Sequence, residues 1–264
     1  MTGTSRIVRL NDGSATTVEL WGASGPVMLL VHGMSSSRRS WLRIVERYAP
    51  TFRIAAYDQR GHGESSAVGG PMTLAQCVDD LASVAEQLDA PIDVLVGHSW
   101  GGAVAVAGGK RIDARRVVAI DPMLHQLADS WYAEFIEELD EAFAFEGEER
   151  EQRIRLAYAG DPELDVVGKI HALATMTPAP IRALQTDNPA PTWELIPKVA
   201  QYDRPLLLAM ASPGEGVLEA SRYAELLRAL PHVVRYVEFP GAGHSLHRSA
   251  LDEFSAALDS FLAS

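Results

Sequence analysis

The stretch Val94-Leu95-Val96-Gly97-His98-Ser99-Trp100-Gly101-Gly102 decides how the rest of this 264-residue chain is read. An unbroken apolar run of strand character enters a serine bracketed by glycines, and the small-residue run Ala103 to Gly109 follows it. Strand, sharp turn and helix, in that order, is the setting in which G-x-S-x-G has chemical meaning. The turn strains the backbone at Ser99, so side chains at positions 97 and 101 would strike neighbouring backbone. In return the Ser99 hydroxyl stands clear at a helix start, where the amino end of the helix favours developing negative charge.

Working outward, Val27 to Val31, Ile54 to Tyr57, Val117 to Ile120 and Leu206 to Met210 are further short apolar runs, separated by stretches of helix length. Such runs predict an α/β fold, a mostly parallel central sheet covered by helices on both faces. Ile7 to Leu10 and Thr16 to Leu20, around Asn11-Asp12-Gly13, predict a hairpin. Thr73 caps a helix whose Leu74, Cys77, Val78, Leu81, Val84 and Leu88 share one face, which makes Cys77 a core residue. Leu251 to Leu262 is the final helix, and Val233 to Phe239 the last strand. From about Met123 to Val199 no strand is expected. There Trp131, Phe135, Leu139 and Phe143 mark an amphipathic helix with an acidic opposite face, and Pro178, Pro180, Pro189, Pro191 and Pro197 keep the remaining helices short. The expected organisation is therefore a core of residues 1–121 and 201–264 with a helical cap inserted at 122–200.

With 47% apolar and 22% charged residues the composition is that of a globular protein. The formal charge of −12 argues against nucleic acid or an anionic membrane as partner. A single cysteine excludes an internal disulfide and a multi-cysteine metal site, and the histidines and carboxylates show no zinc-ligand spacing, so no metal is expected. The polar amino terminus has no signal-peptide core, and no apolar run is long enough to span a bilayer. A cytoplasmic location is the expectation.

A serine hydroxyl needs a base to take its proton. His244, in Phe239-Pro240-Gly241-Ala242-Gly243-His244, follows the last strand at the same end of the sheet as Ser99 and is the candidate. His247 is expected to begin the next helix, and His98 is read as structural. Two backbone N–H groups must meet a developing oxyanion. Trp100, directly after Ser99, supplies one, and Met34, in the loop Val31-His32-Gly33-Met34, the other. His32 shapes that loop. Asp58-Gln59-Arg60-Gly61-His62-Gly63-Glu64-Ser65 is read as a tight structural turn.

His32-Gly33, the Asp58 to Ser65 turn, Gly97 to Gly102 and Gly243-His244, in that order, resemble the α/β-hydrolase superfamily over nearly the whole chain. The resemblance implies the α/β-hydrolase fold and a Ser-His-acid triad. It says little about substrate, because this fold hosts many chemistries. Relatives that act as dehalogenases or epoxide hydrolases carry Asp where this chain has Ser99. The family usually places the acid after the strand Leu206 to Met210, but here that loop reads Ala211-Ser212-Pro213-Gly214-Glu215-Gly216, without Asp. Two acids compete. Asp121, at the end of Val117 to Ile120, resembles the placement in fungal zearalenone lactone hydrolases, although Asp before Pro122 is also a good helix cap. Glu215 is the alternative.

The expected activity is cofactor-free hydrolysis of a neutral, fairly apolar carboxylic ester or lactone through an acyl-enzyme on Ser99. Neutrality is inferred from the acidic helix face at Glu134, Glu137, Glu138, Asp140 and Glu141, which would repel an anion. Gly33, Trp131, Tyr132 and Phe135 are the candidate substrate contacts. The expected partner is the small-molecule substrate, with a homodimer as the one oligomer admitted. A C–C or thioester hydrolase, a cofactor-free haloperoxidase and a ligand-binding receptor without turnover are the rival readings.

Overall fold

Side chains alternate across each core strand and so divide between two apolar layers. Leu29, Leu95, Val117 and Leu208 fall in one layer, and Met28, Leu30, Val96, Val118 and Leu207 in the other. A sheet buried on both sides therefore has strands that read as continuous apolar runs. The computed structural model describes residues 3–65, 70–189 and 193–264.

Eight strands form one sheet: β1 (Thr4–Arg9), β2 (Ala15–Trp21), β3 (Val27–Val31), β4 (Arg53–Tyr57), β5 (Ile92–His98), β6 (Arg116–Ile120), β7 (Leu206–Ala211) and β8 (Val234–Phe239). Their spatial order is β1-β2-β4-β3-β5-β6-β7-β8. The first hairpin and the β2–β4 pairing are antiparallel, and every pairing from β4 through β8 is parallel. Gly13, at φ +86°, closes the hairpin, with Ser14 N–H donating to the Asp12 carboxylate at 3.0 Å.

A 3-10 turn (Arg38–Trp41) leads into α1 (Leu42–Tyr48), which covers one face together with α11 (Leu251–Leu262), while α2 (Leu74–Glu86), α3 (Trp100–Gly108) and α9 (Ala220–Ala229) cover the other. The predicted Thr73 cap is present, its hydroxyl accepting from Gln76 N–H at 3.1 Å. Cys77 is buried, and burial pushes its thiol up to about 12, so it is an inert core residue. Leu95 and Leu208 are fully buried, and truncating either to Ala would cost about 2–5 kcal/mol.

Between β6 and β7 the described residues form five helices and no strand: α4 (Asp129–Phe143), α5 (Gly147–Ala157), α6 (Glu163–Thr175), α7 (Ala179–Asp187) and α8 (Ile196–Ala200). A short helix, α10 (Leu246–Ser249), follows β8. No helix among the described residues is long and apolar enough to cross a membrane.

The turn after β4 is taken up by the scaffold. Asp58 accepts from Arg38 N–H at 2.8 Å, from Glu64 N–H at 2.9 Å and from the Arg38 guanidinium. Arg60 is held by both oxygens of Asp80 at 2.7 Å. Both pairs are buried, and a buried pair is tolerated only with this density of hydrogen bonds.

Candidate active site

Ser99 joins β5 to α3 with φ +57° and ψ −120°. A non-glycine residue held there costs about 1–3 kcal/mol, and the surroundings must impose it. They do: Ser99 N–H donates to Ile120 carbonyl at 2.9 Å, and Ser99 carbonyl accepts from Ala103 and Met123 N–H, each at 3.1 Å. A Cβ at Gly97 would strike the Gly101 carbonyl, and one at Gly101 the Val31 and His32 carbonyls. The Ser99 side chain makes no capping hydrogen bond to the helix it begins.

The imidazole of His244 lies on the loop after β8, one-third exposed, with Nδ1 2.6 Å from Asp121 Oδ2. Donation from Nδ1–H to a carboxylate fixes the tautomer in which Nε2 can accept a proton. Asp121 is fully buried at the end of β6 and also takes a positive φ of +39°. Its N–H donates to Ala209 carbonyl at 2.7 Å, which ties it to the neighbouring strand. The loop after β7 wraps around its carboxylate: Ala211 N–H reaches Oδ1 at 3.2 Å and Val217 N–H reaches Oδ2 at 3.0 Å. Glu215, the alternative acid, is instead exposed and accepts from Gly241 N–H at 2.9 Å, bracing the two loops rather than the imidazole. Sequence reasoning missed the two backbone donors and the close approach of Gly216, where a Cβ would lie 2.8 Å from Asp121 Cγ; the Gly-Glu-Gly run was the signal for it.

His98 and His247 surround His244 without replacing it. His98 Nε2 donates to the His244 carbonyl at 3.0 Å, and the two rings stand 4.6 Å apart. His247 is enclosed between the Trp41 and His98 rings, at 5.0 and 4.5 Å. Burial, together with the neighbouring histidines and Arg248, holds both well below the ordinary histidine range, so both are neutral at pH 7.

The loop after β3 abuts the elbow. A Cβ on Gly33 would lie 2.9 Å from Ser99 Cβ and 3.1 Å from His98 Nδ1, so only glycine lets the chain pass. His32 braces it: Nδ1–H donates to Gly33 carbonyl at 2.7 Å, and Nε2 accepts Gln59 N–H at 3.0 Å. Burial pushes His32 down to about 3, which matches its place as a neutral bracket. Met34 N–H donates to no backbone carbonyl among the described residues, and Trp100 N–H belongs to the first helical turn, which has no partner within the helix.

The aromatic candidates lie on α4. Trp131 stacks on Phe135 at 5.0 Å. Tyr132 is 1% exposed and packs in the core. Phe135 lines a cavity of about 660 Å³ between α4, α5 and α6, with Leu139, Phe145, Ile154, Tyr158 and Lys169. Ser99 is not among its lining residues; Lys169 connects it to the elbow side, with Nζ 3.4 Å from Ser35 carbonyl.

The sequence profile of the alpha/beta hydrolase family matches residues 28–257. Over 256 residues the chain is 28% identical to the N-formylmaleamate deformylase of Pseudomonas putida, covering 92% of this chain and 90% of that protein. Among solved structures, that of E-2-(acetamidomethylene)succinate hydrolase superposes with a TM-score of 0.81 at 23% identity, covering 99% of this chain and 100% of that one. The enol-lactonase from Burkholderia xenovorans LB400 superposes with a TM-score of 0.74 at 20% identity, over 98% and 100% of the two chains. At those identities the two superpositions speak to fold alone.

Proposed function

The chain belongs to the alpha/beta hydrolase family, and from that premise we propose that it is a serine hydrolase that cleaves a carboxylic ester or lactone. The observation that carries the proposal is the 2.6 Å contact between His244 Nδ1 and the buried Asp121 carboxylate, at the same end of the sheet as the strained Ser99. His244 Nε2 takes the Ser99 proton as Oγ attacks the carbonyl carbon. The oxyanion is met by the N–H groups of Met34 and Trp100. Protonated His244 then gives its proton to the leaving alkoxide, which departs as an alcohol and leaves an acyl group on Ser99. Water repeats the sequence and frees the acid. Asp121 orients the imidazole and stabilises its cation.

In this reading residues 122–200 cap the site, and the cavity under α4 takes an apolar part of the substrate. The similarity to a deformylase over most of both chains favours an activated amide as a second class of substrate, cleaved by the same residues.

Intact mass after exposure to a fluorophosphonate probe tests the mechanism without knowledge of the substrate. One adduct is expected on wild type, none on Ser99→Ala, and slow labelling on Asp121→Asn. A wild-type protein that stays unlabelled overturns the serine-hydrolase reading.

A further inference from the structure

Two cations beside the site have no part in the chemistry just described. Lys169 follows Gly168, where α6 meets the 3-10 turn. A Cβ on Gly168 would lie 2.8 Å from the Arg39 carbonyl oxygen and 3.1 Å from Ser40 Cα. That close approach sets Lys169 Nζ 3.4 Å from Ser35 carbonyl and 3.5 Å from Ser35 Oγ, one residue past Met34. Arg248 lies on α10, four residues past His244. Its guanidinium donates to Ser245 Oγ at 2.9 Å, its carbonyl is held by Arg43 at 2.8 Å, and its Nε is buried without a partner.

Neither cation forms an ion pair among the described residues. The carboxylates that face them are Asp165, already bonded by Arg43 at 3.0 Å, and Glu138, exposed on α4. Two cations without an ion-pair partner among the described residues thus stand close together in a chain of net charge −12. Burial, with Arg248 adding to it, pushes the Lys169 ammonium down to about 8. A desolvated cation beside a second cation gains strongly from an anion, and buried charges normally have one. Of the acidic face that suggested a neutral substrate, Glu134, Glu137 and Asp140 do not line the cavity under α4, and Asp140 pairs with Arg182 at 2.9 Å, while Glu138 and Glu141 line it as exposed residues.

From this placement we infer that Lys169, with Arg248 beside it, is the subsite for a carboxylate carried by the substrate, so that an acid half-ester is preferred to the corresponding neutral ester. The inference rests on the serine-hydrolase reading and replaces the expectation of a neutral substrate. The ammonium holds the carboxylate while the neighbouring Met34 N–H meets the oxyanion, which places the two acyl groups of a short diacid in adjacent positions.

Monoethyl and diethyl succinate differ at the end that would meet Lys169. In wild type kcat/KM is expected to be about 10–100-fold higher for the half-ester, the range of one charge-assisted hydrogen bond. Lys169→Met should erase that preference, lowering half-ester turnover through KM while changing diethyl ester turnover by no more than about threefold. Fluorophosphonate labelling of Ser99 should be unchanged, and Lys169→Gln serves where the Met variant does not fold. A wild-type preference for the diester overturns the subsite, as does a preference that survives in the variant or an equal loss on both esters; labelling of Ser99 in those cases leaves the hydrolase reading standing. Where neither ester is consumed, calorimetric titration with succinate decides. Saturable binding that is lost in the Lys169 variant supports the subsite, and no binding to wild type overturns it. Failure of Ser99 to label overturns the hydrolase reading separately.

Discussion

The carboxylate of Asp121 stands where a side chain at Gly216 would have to be: a Cβ built on Gly216 lies 2.8 Å from Asp121 Cγ and closer still to both oxygens. The loop after β7 carries no aspartate, yet it supplies the N–H groups of Ala211 and Val217 that hold the one arriving from β6. Its small residue and its backbone donors together form the seat for an acid that belongs to another strand.

Gly216→Ala should therefore displace the carboxylate from His244 and slow the nucleophile. A displacement of this kind costs about 100-fold, and loss of the charge in Asp121→Asn about 10⁴-fold. The measurement is the second-order rate of fluorophosphonate labelling. Because both changes act through His244, Gly216→Ala should have little further effect in an Asp121→Asn background. Additive losses would show that Gly216 acts by some route other than the acid.

Glu215 offers the complementary case. Its carboxylate accepts one backbone N–H, that of Gly241, on the exposed side of the loops. Glu215→Gln keeps an oxygen acceptor and removes only the charge. Labelling within about threefold of wild type is expected, with stability altered by no more than about 1 kcal/mol. A loss of the size expected for Asp121→Asn would transfer the acid's role to Glu215.

Much of this architecture is legible in the residues, for physical reasons. Strands buried on both faces need continuous apolar runs, so β3, β4, β5, β6 and β7 announce themselves. The strain at Ser99 demands glycines on either side, so the elbow does as well. The location of Asp121 at the end of the strand beside the elbow strand follows from the same runs. Its contact with His244 does not, because it depends on how far the loop after β7 folds back. The orientation of the acidic face of α4 is equally a tertiary fact: the pattern of charges shows that the face is polar but not that Glu138 and Glu141 line the cavity beside Lys169 while Glu137 and Asp140 do not. Lys169 has no local signature at all, since its placement depends on Gly168 letting α6 close onto the Arg38–Trp41 turn.

In the proposed mechanism His98 is a positioning residue. Its Nε2–H fastens the His244 backbone at 3.0 Å, and burial keeps the ring neutral. His98→Ala removes the fastening together with the ring contact to the His244 imidazole, and leaves Ser99 and Asp121 unaltered. A loss of about 10–100-fold in kcat with KM little changed is expected. His98→Gln, whose amide can donate to the same carbonyl, should recover most of it. If Gln is as poor as Ala, the role of His98 lies in ring packing against His244 and His247 rather than in the hydrogen bond.

The buried histidines also set how the protein responds to acid. His32 is pushed down to about 3, and His62, His98, His171 and His247 are lowered too, each chiefly by burial. Below an ordinary histidine pKa of about 6.5 the unfolded chain takes up protons that the native state refuses. The stability these groups contribute is complete above that pH and is lost as the pH falls towards the depressed native values. His32 alone should remove about 2 kcal/mol by pH 5. Carboxylates titrate mostly below that point, so the interval from pH 7.5 to 5 isolates the histidines. Urea unfolding across that interval should show a falling midpoint at constant slope. A midpoint that stays level would mean that these imidazoles take up protons in the folded protein as easily as in the unfolded chain.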